Sequence, residues 1–104
     1  MAKAKVLRHI VMFKFKDTTS AEKVREIEAF FASLPAKIDL IQDFEWGTDN
    51  SPEGKAQGFT HCFTLTFKSA EDRDAYIPHP EHKALGGVAG GFVEKVLVLD
   101  YWTN

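Results

Sequence analysis

The segment VLRHIVMFKFK at 6–16 alternates between two sets of side chains, and both sets contain apolar groups. Alternation with a period of two predicts a β-strand, because successive side chains of a strand point to opposite faces of the sheet. A strand that is apolar on both faces needs cover on both faces. We therefore expect a sheet with helices on one face and a further layer on the other.

The rest of the chain divides into strand-like and helix-like segments. Strands are predicted at 40–47, 59–68 and 92–102, and helices at 19–35 and 69–77. Thr19 is the predicted N-cap of the first helix, and Pro35 is expected to end it. Pro80 is suited to begin a further short helix, PEHKAL. The glycine-rich run GGVAGG at 86–91 is expected to be flexible.

The order strand–helix–strand–strand–helix–strand predicts one α+β domain over residues 1–104. The expected fold is ferredoxin-like, β-α-β-β-α-β, with a four-stranded antiparallel sheet and both helices on one face. Ile10, Met12 and several residues of the last strand would then be exposed on the other face. Large apolar patches are uncommon on monomers, so we expect a homodimer that packs sheet on sheet as a dimeric α+β barrel. The alternative is a monomer with an unusually apolar surface.

Composition excludes several classes of protein. The 104 residues carry a net charge of −2 with no basic stripe, so no nucleic-acid partner is expected. No apolar run approaches the roughly 18 residues that a membrane span needs, so no membrane association is expected either. Cys62 is the only cysteine, so no intramolecular disulfide can form. We expect a cytoplasmic protein.

The segment YIPHPEH at 76–82 contains a tyrosine and two of the four histidines. His9 and His61 belong to the more apolar face of their strands, so they should point toward the helices, where this segment also arrives. One interpretation is a set of acid–base groups held by a stiff, proline-containing bend. The other is structural, with His79 capping a helix, His82 bonding a backbone carbonyl and Tyr76 filling the core.

Other chemistry has weaker support in the sequence. The histidines do not cluster with carboxylates or the cysteine at a recognised ligand spacing, so no metal and no cofactor are expected. GGVAGG lacks the lysine and the strand-then-helix setting of a phosphate-binding loop. Asp17, Asp49 and Asp100 are expected at strand ends or in loops rather than in a catalytic role.

Four stretches together resemble the stress-responsive α/β-barrel domain family: RHIVMFKFK, FEWGTDNSPEGKAQGFTHCFTLTF, SAEDRDAYIPHPEH and VLVLDY. The similarity extends from about residue 5 to residue 102, and it implies a ferredoxin-like dimeric α+β barrel. One member of this family is a polyketide cyclase that closes a linear chain by aldol condensation without a cofactor.

Matching the motifs of that cyclase implies roles for individual residues. His82 corresponds to its general base and Tyr76 to the assisting tyrosine, while His9 and His61 match two further pocket histidines. We expect His79 and Phe63 to bind the substrate as well. The substrate would be a small apolar or aromatic carbonyl compound held between sheet and helices. The alternatives are a non-enzymatic stress-response oligomer with a filled pocket and a cofactor-free monooxygenase.

Overall fold

The structure is a computed structural model that describes residues 5–104, so the first four residues of the predicted domain lie outside the described residues. Its elements, in chain order, are β1 (Leu7–Phe15), α1 (Ala21–Lys37), β2 (Asp43–Thr48), β3 (His61–Phe67), α2 (Ala70–Tyr76), α3 (Pro80–Ala89) and β4 (Val93–Trp102). The strands form one antiparallel sheet in the order β2-β3-β1-β4. This arrangement confirms the predicted ferredoxin-like fold. No helix within residues 5–104 is long and apolar enough to cross a membrane.

Strand β1 lies in the middle of the sheet, and the side chains predicted to face the helices do so. Leu7, Val11 and Phe13 are buried on the face that the helices cover. Their partners in β3 are apolar as well, since Leu7 lies opposite Phe67 and Val11 opposite Phe63. The core is the layer between these strands and the buried face of α1, which presents Ile27, Phe31 and Leu34.

Helix α1 begins and ends later than predicted. Its N-cap is Ser20 rather than Thr19, because the Ser20 side chain accepts a hydrogen bond from the Lys23 amide. Pro35 does not end the helix, which continues to Lys37. A proline this close to the end of a helix removes only one of its last amide donors, so two further helical residues are tolerated.

The glycine-rich run is helical over most of its length, which makes the prediction of a flexible segment wrong. Residues 86–89 form the last turn of α3, and the amide of Gly90 bonds to the Gly86 carbonyl. Tertiary packing explains this, because Leu85 and Ala89 are buried in the core beneath α1 and the sheet. Pro80 occupies the first turn of α3, as predicted.

The face of the sheet opposite the helices has no cover from residues 5–104. Leu97, Leu99 and Tyr101 of β4 point to this face and are 39%, 57% and 48% exposed. The prediction that Ile10 is exposed here is wrong, since only 9% of its surface is accessible. Ile10 lies in the central strand with Thr64 on one side and Leu99 on the other, and these neighbours cover it.

The capping interaction of Ser20 gives a test of the start of α1. Replacing Ser20 by alanine removes the acceptor for the Lys23 amide, so the free energy of unfolding should fall by about 1 kcal/mol. Ser20→Asp keeps an acceptor and should retain wild-type stability. Urea denaturation measures both variants. Equal midpoints for Ser20→Ala and the wild type would contradict this assignment of the cap.

Candidate functional site

An open groove of about 450 Å³ runs between α3 and the sheet. Two histidines, His9 of β1 and His82 of α3, supply polar groups to its wall, and Lys83 lies beside them. The remaining wall is mostly apolar and includes Val11, Phe13, Phe31, Leu85, Val96 and Val98. A concave, largely apolar site with a few polar groups is the usual form of a small-molecule site.

His82 is held in the first turn of α3. Its Nδ1 atom donates a hydrogen bond to the Ile77 carbonyl over 2.8 Å. Because a carbonyl can only accept, the proton of the neutral ring must be on Nδ1. The Nε2 atom then carries the lone pair, and among the described residues it has no hydrogen-bond partner. A neutral imidazole in this tautomer can accept a proton from a ligand.

Tyr76 ends α2 and is fully buried behind the groove. Its ring lies 4.4 Å from the ring of His82 and 5.8 Å from the ring of His9, between centroids. Within residues 5–104, its hydroxyl is the single buried side-chain nitrogen or oxygen without a hydrogen-bond partner. Burial raises the pKa of Tyr76, so this phenol stays protonated and acts as a donor.

His9 belongs to a chain of charged hydrogen bonds. Its Nδ1 atom donates to Oδ1 of Asp100 over 2.7 Å, and Oδ2 of Asp100 accepts from Arg73 over 2.7 Å. These bonds join β1, β4 and α2. The hydrogen bond to Asp100, followed by that to Asp74, raises the pKa of Arg73. Because the carboxylate of Asp100 can only accept, the neutral ring of His9 carries its proton on Nδ1. The same carboxylate would stabilise the positive charge of the ring if His9 gained a second proton.

His79 does not line the groove. It is the N-cap of α3, and its Nδ1 atom accepts a hydrogen bond from the Glu81 amide over 3.1 Å. Asn and Asp cap helices in the same way, through a side-chain acceptor. The position of His79 therefore accounts for the start of the helix that carries His82.

His61 lies apart from the other histidines. It is opposite Phe13, whereas His9 is opposite Leu65, so the backbone positions of the two histidines are four residues apart along the strands, or roughly 13 Å. Its Nε2 atom bonds to Glu28 over 2.7 Å and its Nδ1 atom to the Thr60 hydroxyl over 2.8 Å. It also lines a separate hollow of about 400 Å³ at the loop before β3. Both ring nitrogens are already bonded, which leaves none free for a ligand.

Phe63 is a core residue in this structure. It is fully buried, and its ring stacks on Phe31 with 4.0 Å between centroids. Unlike Phe31, it does not reach the groove. Of the six residues predicted for the site, the structure places His9 and His82 at the groove and Tyr76 directly behind them. Phe63, His61 and His79 have other surroundings.

Sequence reasoning missed Asp100 and Arg73. Asp100 was expected at a strand end, but it lies within β4 opposite His9. Asp100 is on the same side of β4 as Val96 and Val98, which is the side that faces the helices. Knowledge of the register between β1 and β4 would have placed it next to His9. No group of three or more metal-ligating side chains occurs in the described part of the chain.

Comparison with known proteins agrees with this architecture. The family model described as "Stress responsive A/B Barrel Domain" matches residues 7–103. The stress-response A/B barrel domain-containing protein HS1 of Arabidopsis thaliana is 40% identical over 91% of this chain and 87% of its own length. Olivetolic acid cyclase of Cannabis sativa is 35% identical over 91% of this chain and 94% of its own length.

Solved structures are also similar. The hydroxynitrile lyase of Passiflora edulis superposes with a TM-score of 0.89 at 30% identity, covering 98% of this chain and 96% of the lyase. A dimeric protein of unknown function with a ferredoxin-like fold from Bacteroides fragilis gives a TM-score of 0.74 at 29% identity. That match covers 92% of this chain and 94% of the other.

The unpartnered hydroxyl of Tyr76 makes a measurable prediction. A buried polar group without a partner costs about 1–3 kcal/mol, so Tyr76→Phe should raise the free energy of unfolding by up to that amount. Urea denaturation of Tyr76→Phe and of the wild type measures the difference. A less stable Tyr76→Phe variant would mean that the hydroxyl has a partner in solution.

The same residue predicts a pH dependence. The unfolded phenol ionises near pH 10, whereas the folded one resists ionisation because burial raises its pKa. Above about pH 10 the unfolded state therefore binds fewer protons than the folded state, and stability falls as pH rises. Tyr76→Phe should show a shallower fall than the wild type in urea titrations between pH 9 and 11. Identical slopes would contradict the raised pKa.

Proposed function

The chain belongs to the stress-responsive A/B barrel domain family, and on that premise we propose that it is a homodimer that binds a small apolar or aromatic carbonyl compound. The groove between α3 and the sheet is the proposed site. Its chemistry would be cofactor-free acid–base catalysis of the cyclase or lyase type. The observation that carries the proposal is the pair His9 and His82 at one groove, each with Nδ1 bonded and with no partner for Nε2 in the part of the chain that the structure describes.

The proposed step is removal of a proton from carbon. Nε2 of neutral His82 takes the proton from a carbon beside the ligand carbonyl, and the electron pair of the C–H bond moves to form the enolate. The bond from Nδ1 to the Ile77 carbonyl keeps the ring oriented through the transfer. His82 then returns the proton either to the enolate carbon or to the alkoxide oxygen that forms when the enolate carbon adds to a second carbonyl group. General acid–base catalysis of this kind contributes about 10²–10⁴ in rate.

Two neighbouring groups support the step. The hydroxyl of Tyr76 remains protonated and has no hydrogen-bond partner among the described residues, but Tyr76 lies behind the groove and does not line it. It would donate a hydrogen bond to an enolate oxygen only after the ligand displaces the side chains in front of it. His9 is the second acid–base group, with Asp100 ready to balance the charge of its protonated ring. Names of similar proteins support this class of chemistry, since one is a cyclase and another a lyase.

The dimer follows from the uncovered face of the sheet. Leu97, Leu99 and Tyr101 form an apolar surface there, and large surfaces of this kind mark protein interfaces. Packing two such sheets face to face buries both at once and gives each its missing layer. The dimeric protein from Bacteroides fragilis supports this assembly. A lone Cys62 suits a reducing, cytoplasmic compartment.

A non-enzymatic role in the stress response is the second candidate, and specific contacts favour it. His79 caps α3, His82 bonds a backbone carbonyl and Tyr76 fills the core, which are the contacts of a purely structural interpretation. Under this interpretation the groove would have no ligand, and loss of the His82 imidazole would affect only folding. The two candidates therefore differ in what His82→Ala does to chemistry.

Proton exchange in 2-tetralone, an aromatic ketone with acidic C–H bonds, tests the proposed step. The wild type should accelerate exchange of its α-protons in D₂O, followed by NMR, and His82→Ala should reduce kcat/KM by about 10²–10⁴-fold. His79→Asn is the matched control, because asparagine preserves the helix cap and exchange should continue. Undiminished exchange in His82→Ala would favour the structural role.

Substitutions on the two faces of β4 test the dimer. Leu99→Asp places a charge in the proposed interface and should convert a dimer into a monomer in sedimentation velocity experiments. Val98→Asp is the control, since Val98 is 52% exposed on the opposite face and its variant should remain dimeric. A monomeric wild type, or dissociation of both variants alike, would count against sheet-on-sheet packing.

A further inference from the structure

Two glycines line the groove on the α3 side, and only one of them is explained by the backbone. A Cβ atom at Gly90 would lie 2.6 Å from the Gly86 carbonyl oxygen, so crowding requires glycine there. A Cβ atom at Gly86 would meet nothing within 4 Å, and its φ is not in the positive region. Glycine in a helix is nevertheless unfavourable compared with alanine. Neither conformation nor packing within the chain therefore accounts for Gly86.

Gly86 is on the same side of α3 as His82. Residues four apart on a helix are neighbours on one face, so His82, Gly86 and Gly90 form a row along the groove wall. The helical rise places Gly86 about 6 Å beyond His82 and Gly90 about 12 Å beyond it. A ligand with its carbonyl at His82 would have its apolar body against this row.

The opposite wall fits the same ligand. Val96 and Val98 of β4 face the groove and are 54% and 52% exposed. A flat or branched apolar body between these valines and Gly86 would remove both valines from water. Burial of apolar surface favours binding in proportion to the area covered. The polar end of the groove, with His9 and His82, is where the carbonyl oxygen would lie.

We propose that Gly86 determines specificity: its missing side chain admits carbonyl compounds whose aryl or branched apolar body extends from the reacting carbon toward Gly86. The inference rests on the function proposed above and adds to it the shape of the substrate. Small ketones without such a body do not reach Gly86, so their turnover does not depend on this residue. A larger side chain at position 86 narrows the groove and selects against the wide ligands alone.

The test compares two ketones in the proton-exchange assay, 2-tetralone as the wide probe and 2-butanone as the narrow one. The ratio of their kcat/KM values should fall at least about tenfold in Gly86→Leu, and less in Gly86→Ala, because steric fit in an apolar pocket changes discrimination by roughly 10–200-fold. Gly87→Leu and Gly87→Ala are the matched controls. Gly87 has the same open surroundings and lies in the same helix, but it does not line the groove.

Stability separates this effect from damage to the fold. All four variants replace a helical glycine by a better helix former, so each should raise Tm by roughly 4–8 °C. Loss of 2-tetralone turnover in a more stable Gly86→Leu protein, with Gly87→Leu unaffected, supports the inference. An unchanged ratio in Gly86→Leu, or equal losses at both positions, overturns it. If the wild type exchanges neither ketone, the proposed function fails and this inference fails with it.

Discussion

The antiparallel register of β1 against β4 is the constraint on which the groove depends. It places Asp100 opposite His9 on the face covered by the helices. A slip of one residue would turn the whole set of β4 side chains to the other face and separate the pair. Because Asp100 also accepts a hydrogen bond from Arg73, the register extends to α2 and to Tyr76 at its end. The position of the phenol relative to His9 is thus determined by strand pairing.

The short segment between α2 and α3 makes hydrogen bonds that stabilise the fold and that also bear on the proposed chemistry. The His79 cap starts α3 and the carbonyl of Ile77 holds His82, and both bonds stabilise the fold. The second bond also decides which nitrogen of His82 carries the proton. A structural contact of this kind is therefore a precondition of acid–base chemistry rather than evidence against it. What distinguishes the two interpretations is the groove, because a purely structural histidine has no need of one.

The sequence predicted those features that depend on local pattern. Alternation identified the helix-facing side of β1 and of β3, and the order of elements was enough for the fold. Register could not be read from one strand at a time, so Asp100 was missed and His61 was grouped with His9 although four strand positions separate them. The helical state of residues 86–89 was missed for a related reason. Burial of Leu85 and Ala89 outweighs the low helix propensity of glycine, and that burial depends on tertiary packing.

Three features around the groove each lower the stability of the isolated chain. The hydroxyl of Tyr76 is buried without a partner, Gly86 leaves a helix position without a side chain, and Val96 and Val98 expose apolar surface. Each feature lowers the free energy of unfolding only slightly. A single substitution would remove each of these costs, and natural proteins commonly leave such stabilising substitutions unmade. A ligand with an apolar body would cover Val96 and Val98 and fill the space left by Gly86, with its carbonyl at the end of the groove in front of Tyr76. Their location around one groove is therefore a stronger argument for binding than any of them alone.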